Sequence, residues 1–224
     1  MKEMTNYTKY AIKGVITVLI LSLLAAFLGY LVRLVLARNL TVEDFGLFNS
    51  VFAFLGLLGT FDTLGFDKAL IKFIPEFRHE KKEDFIKTSM IYVSAIILIT
   101  NLIIIAFVYL LSNYLSLTFF HSPKASIILK IMALAFFIDS LVMVVKFAFQ
   151  GFKEMFYYSV IDVIRMTLIL IVVFIGIKLN YGLLGPAIAY TLTPLILLLV
   201  FGWILVRKVF PNFIKLKFVF DLPC

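Results

Sequence analysis

Six runs of apolar residues, at about 11–37, 45–74, 85–111, 125–150, 157–177 and 183–206, occupy most of this 224-residue chain. Each is long enough, at roughly 20 residues per crossing, to span a bilayer as a helix. A helix also satisfies its own backbone hydrogen bonds where no water is present to do so. The expected fold is therefore an all-α polytopic membrane protein, a bundle of about six transmembrane helices. Composition agrees: 63% of residues are hydrophobic and 15% charged, with a mean hydropathy of +1.09. Soluble domains are nearer half apolar and about a quarter charged. No stretch remains for a soluble catalytic domain, and the first run is too long for the apolar core of a cleaved signal peptide.

Several chemistries lack their residues. The chain has one cysteine, Cys224, and two histidines, His79 and His121, in different loops. That excludes a multi-cysteine metal site, a Ser-His-Asp triad and a Cys-His pair. No phosphate-binding GxxxxGK[ST] loop is present. We expect no catalytic residue, no metal site and no cofactor, and with a net charge of +8 the first partner to consider is anionic lipid rather than nucleic acid.

Lysine and arginine placement sets the expected orientation. Thirteen lie on the side shared by the N-terminus, the second and fourth connections and the C-terminal tail. Four, Arg38, Lys124, Lys130 and Lys178, lie on the other. The positive-inside rule then puts both termini in the cytoplasm, with Trp203 and Tyr157 near the inner interface and Tyr181 near the outer. We divide the chain into a six-helix lobe, 1–207, and a short basic cytoplasmic tail, 208–224. The tail alternates apolar and basic residues closely enough to lie on the inner leaflet, and a disordered or truncated end is the alternative.

Eight charges interrupt the apolar runs: Arg33, Lys68, Lys146 and Arg165, and Asp62, Asp67, Asp139 and Asp162. Unpaired and facing lipid they would cost on the order of 20 kcal/mol, so they must pair or line a wet cavity. Residues three, four or seven apart share a helix face. By that rule Asp162 faces Arg165, Asp139 faces Lys146, and Lys68 shares a face with Lys72. The first two are candidate salt bridges that fix packing. Two lysines on one face do not neutralise each other, so Lys68 and Lys72, with Arg165 and Lys146, are candidate binding residues for a phosphate or pyrophosphate. Asp67, Lys68 and Arg165 are expected at similar depth, and Arg33 near the outer end of its helix should snorkel to the interface. Asp62, Asp67, Asp139 and Asp162 are left as ion-coupling residues or structural partners. Pro75 should end the second span. Asn39-Leu-Thr41 is a glycosylation sequon, though it abuts two membrane helices, and Pro186 and Pro194 should bend the sixth span, for rocking or for packing.

The stretch from 37 to 77 resembles the N-terminal signature of the polysaccharide biosynthesis proteins, the oligosaccharide flippases of the multidrug/oligosaccharidyl-lipid/polysaccharide exporter superfamily. The resemblance is carried by Arg38 closing the first helix, by Glu43-Asp44-Phe45-Gly46, and by Asp62, Gly65, Phe66, Asp67 and Lys68 in an Asp-x-x-Gly-Phe-Asp-Lys pattern. Residues 149–166 and 182–190 are similar to the same family's fourth connection and sixth helix. The resemblance implies one lobe of a two-lobe flippase in the cell membrane. Its cargo would be a polyprenyl- or dolichyl-(pyro)phosphate-linked sugar for surface glycan synthesis, driven by an ion gradient or by the cargo's own. Family members have twelve to fourteen helices, so this chain looks like an N-terminal lobe alone, and a second six-helix lobe, from another chain or a second copy, is its expected partner. A cation- or proton-coupled drug antiporter of the same superfamily and a non-transporting truncated lobe are the alternatives. A membrane enzyme is disfavoured: Glu76, Glu80, Glu83 and Asp84 alternate with Lys and Arg as a solvated face does.

Overall fold

The structure, a computed structural model, describes residues 2–61, 65–214 and 216–217, and their side chains except at 2–11, 67 and 214. Among these residues it is helical throughout: α1 (Lys2–Asn39), α2 (Val42–Gly59), α3 (Phe66–His79), α4 (Glu83–Thr118), α5 (Lys124–Gly151), α6 (Met155–Lys178) and α7 (Leu184–Ile204). A π-helical turn, Leu205–Val209, and a 3-10 turn, Pro211–Ile214, follow. Six of the helical segments are long and apolar enough to cross a membrane: Ile12–Asn39, Val42–Gly59, Glu83–Thr118, Lys124–Gly151, Met155–Lys178 and Leu184–Val209. The chain is a multi-pass membrane protein built as an all-α bundle.

α5 is the axis of the bundle, packing against α2, α3, α4 and α7, while α1 lies along α6 and α6 along α7. Lipid tails are as apolar as leucine, so close fit rather than water exclusion holds such helices together. The α6–α7 hairpin shows this directly, because a methyl group on Gly176 would lie 3.0 Å from the Gly185 Cα. Two buried clusters result. One, around Val51, Leu55, Leu129 and Met132, fills the half of the bundle nearer the start of α5; the other, around Leu70, Ile74, Ile97 and Phe149, fills the half nearer its end.

The expected second span, 45–74, is two helices and not one. Thr41 caps α2, its hydroxyl accepting from the Asp44 amide at 3.1 Å, and the acidic Glu43 and Asp44 suit the positive end of the helix. α2 closes where the Thr60 and Phe61 amides turn back onto the Leu57 and Leu58 carbonyls. α3 begins after Gly65, whose φ of 81° is left-handed and suits glycine. Depth can be read from α5. A methyl group on Gly59 would meet the Phe136 ring, midway along α5, at 3.6 Å, whereas one on Gly151, at its far end, would meet the Leu70 carbonyl at 2.8 Å. α2 and α3 thus cover successive halves of α5. Pro75 does not end the span as expected; α3 continues to His79, because proline at this point forfeits only one backbone bond in a helix held by Leu70, Ile74 and Phe77, all buried.

Of the tail, residues 208–214 and 216–217 are described, and 215 and 218–224 lie outside the described residues. Phe210 is buried, tilted against Phe152 and edge-on to Phe213, Asn212 donates to Glu83, Lys87 donates to the Leu216 carbonyl at 2.8 Å, and the Lys217 amide donates to Asp84 at 2.9 Å. Residues 212, 216 and 217 thus lie against the first turns of α4. There the acids that read as a solvated face satisfy them.

Candidate functional site

The α5–α6 pair carries four charges inside the bundle. Arg165 on α6 places Nη1 2.6 Å from Asp139 Oδ1 and 2.7 Å from Oδ2 on α5. Lys146 on α5 donates to Asp162 Oδ2 on α6 at 2.6 Å, with its ammonium 4.8 Å from the Tyr158 ring centre. Both expected same-helix pairings are therefore replaced by crossed ones. Asp139 and Lys146 are two turns apart, about 10 Å along the axis, beyond what a short aspartate and a lysine can bridge. Across the antiparallel hairpin the same two residues meet Arg165 and Asp162, and the long basic side chains make up the difference in level.

The pairs are inside but not sealed. Side-chain exposure is 13% for Arg165 and 11% for Lys146, against 28% and 30% for Asp139 and Asp162. The cations are thus the deeper members and the carboxylates are partly exposed, although Asp139 Oδ1 itself is buried. Arg165 is also incompletely used. Its Nε and Nη2 are buried without a hydrogen-bond partner among the described residues, as are the Ser159 hydroxyl on α6 and the Thr193 hydroxyl on α7. A buried orphan donor costs about 1–3 kcal/mol, so the cluster is unfinished without water or a ligand. Tyr190 of α7 packs edge-on against Phe48 and Phe52. Arg33 is exposed on α1, one turn beyond Gly29, which packs on Met166. It therefore lies about one turn past Met166 along α6.

Lys68 and Lys72 are elsewhere. Both are exposed on α3, and Lys72 rests 5.2 Å over the Phe73 ring. Ile74, six residues beyond Lys68, packs at Gly151, while Arg165 bonds Asp139, twelve residues earlier on α5. Asp62 lies outside the described residues, as does the side chain of Asp67. Spacing rules missed Thr193, Ser159 and Tyr190; a hydroxyl row through otherwise aliphatic α6 and α7 is the signal that could have found them. At the sequon, the Asn39 amide donates to the Val35 carbonyl and Thr41 caps α2.

Residues 11–222 match the model of a family described as polysaccharide biosynthesis protein. The chain is also 30% identical, over 227 aligned positions, to an uncharacterized membrane protein of Methanocaldococcus jannaschii. That alignment covers 96% of this chain and 45% of the relative, so the chain spans a little under half the length of the curated relative it matches. No solved structure matches it.

Proposed function

Because this chain belongs to the polysaccharide biosynthesis protein family, we propose that it is one lobe of a flippase that carries lipid-linked oligosaccharide across the cell membrane for surface glycan synthesis. The observation that carries this reading is the Arg165 guanidinium. Asp139 occupies one terminal nitrogen, and Nε and Nη2 stay buried and unpartnered. A planar fork with free donors in a water-poor site is the chemistry that binds phosphate or pyrophosphate.

Moving a charged phosphosugar through hydrocarbon without help is prohibitive. In this reading the head group passes along the α5–α6 polar stripe while its polyprenyl or dolichyl chain stays in lipid. Asp139 and Asp162 keep Arg165 and Lys146 in place and limit how tightly the phosphate is held, so that it can be released. The partly exposed carboxylates would meet lipid if the stripe were uncovered, at about 2.5–3.5 kcal/mol each near mid-bilayer. The cover we propose is a second six-helix lobe, a separate chain or a second copy, and movement of one lobe on the other would alternate access. Both termini are assigned to the cytoplasm on the lysine and arginine distribution, and the role is that of a transporter rather than an enzyme.

The test is translocation of a fluorescent lipid-linked oligosaccharide in proteoliposomes containing the chain with a co-expressed second lobe. Transport should be present, and lost in Arg165→Ala protein that is still folded. Undiminished transport by that variant removes the basis of the reading.

A further inference from the structure

Away from the α5–α6 pairs, a cavity of about 320 Å³ opens between α3 and α4, lined by Phe66, Leu70, Phe73, Ser89, Tyr92 and Ile96 among others. The lining is almost wholly apolar, and the volume lies at the small end of ligand pockets. Its position explains what could fill it. The first turn of α4 is polar and charged, with Glu83, Asp84 and Lys87, and Ser89 to Ile96 are the first turns of its apolar stretch. The groove thus begins where head groups give way to chains and runs toward the middle of the membrane. A helix surface left unfilled there forfeits its packing contacts, and the component at hand to restore them is a lipid chain.

The mouth of the groove is cationic. Phe73 lines it, and the Lys72 ammonium lies 5.2 Å above that ring. Lys68, one turn earlier on the same exposed face, adds a second cation, and Glu76, one turn later, is the acid on that face. α3 is therefore amphipathic for a reason other than bundle packing alone. Leu70, Ile74 and Phe77 bury into the core, Phe66, Leu70 and Phe73 wall the groove, and the lysines stand at its rim.

We infer that the α3–α4 groove is a binding site for an anionic lipid of the leaflet at this end of the bundle, one hydrocarbon chain lying between Phe66, Phe73 and Ile96 and its phosphate beside Lys72. The site is independent of the transport reading. It requires no cargo and does not involve Arg165.

A tryptophan reporter tests it in bilayers. With Trp203→Phe removing the native tryptophan, Ile96→Trp places a reporter in the groove and Ile103→Trp one on the exposed, lipid-facing surface of the same helix. The protein is reconstituted into phosphatidylcholine containing phosphatidylglycerol with brominated chains, which quench on contact. The groove reporter should be quenched as if phosphatidylglycerol were enriched about fivefold over bulk, the gain expected from one lysine near an anionic head group. The reporter at 103 should see the bulk ratio. Lys72→Gln should return the groove reporter to bulk, with thermal stability unchanged. Should Ile96→Trp fail to fold, Tyr92→Trp carries the same readout. Quenching at the bulk ratio in the groove, as protein cover or unselective lipid would give, or enrichment that survives Lys72→Gln, overturns the proposal.

Discussion

Arg165 of α6 and Asp139 of α5 are joined across a helix hairpin at 2.6 Å, and the guanidinium spends only one terminal nitrogen on the bond. The Asp139 carboxylate is the more exposed partner, so the pair holds a cation in the bundle with donors to spare. Removing Arg165 alone leaves Asp139 uncompensated, a loss toward the lower end of about 3–5 kcal/mol for this partly open site. Arg165→Ala should therefore lower thermal stability in mild detergent, and the exchange Asp139→Arg with Arg165→Asp should recover most of it. Recovery by exchanging Asp162 with Arg165 instead would show that the pairs are not crossed.

Lys146 and Asp162 offer a quantitative counterpart. A double-mutant cycle with Lys146→Met and Asp162→Asn should give a coupling of about 0.5–3 kcal/mol, as expected for residues in direct contact. The cycle between Asp162→Asn and Arg165→Gln, three residues apart on one helix, should give no more than about 0.2–0.5 kcal/mol. Chemical or thermal unfolding in detergent measures both.

The difference between these cycles marks where sequence reasoning stops. Helical spacing finds neighbours on one helix, and among its candidates were the four residues that pair here; it contains no information about which face of α5 meets which face of α6. Six spans were legible because 20-residue apolar runs have one outcome in a membrane. The break between α2 and α3 was hidden because the run from Phe45 to Ile74, although interrupted by Asp62, Asp67, Lys68 and Lys72, has the length of one crossing. Its trace was there in Leu70, Ile74 and Phe77 alternating at helical period with Lys68, Lys72 and Glu76, a pattern of an amphipathic helix rather than a lipid-immersed one. Docking of Asn212 and Lys217 to Glu83 and Asp84 at the start of α4 joins residues about 130 apart, which no local pattern records.

Gly151 tests the seat of α3. A methyl group there would lie 2.8 Å from the Leu70 carbonyl and 3.0 Å from Ile74. Gly151→Ala should cost about 1–3 kcal/mol through overpacking and should speed proteolysis between α3 and α4. Gly56→Ala, where nothing lies within 4 Å, should be neutral or slightly stabilising, since alanine favours helix over glycine by about 1 kcal/mol. Equal effects of the two would mean that α3 does not rest on Gly151.

Orientation has a direct readout. In a Cys224→Ser background, Glu80→Cys between α3 and α4 should be protected from an impermeant maleimide added outside intact cells, and Val42→Cys, 92% exposed at the start of α2, should react. Labelling at position 80 from outside would reverse the assignment of the termini.

The central claim, that the polar stripe of α5 and α6 receives a lipid-borne phosphate, is tested most directly by equilibrium binding. The purified chain in mild detergent is titrated with a short-chain polyprenyl diphosphate and followed by microscale thermophoresis, with Arg165→Gln and Lys124→Gln beside the unaltered chain. Saturable binding should weaken by at least about tenfold in Arg165→Gln, as loss of a buried charged contact entails, and stay unchanged in Lys124→Gln, whose lysine is paired with Asp44 at the exposed end of α5. Equal affinity in all three proteins, each confirmed folded by its thermal transition, would contradict it.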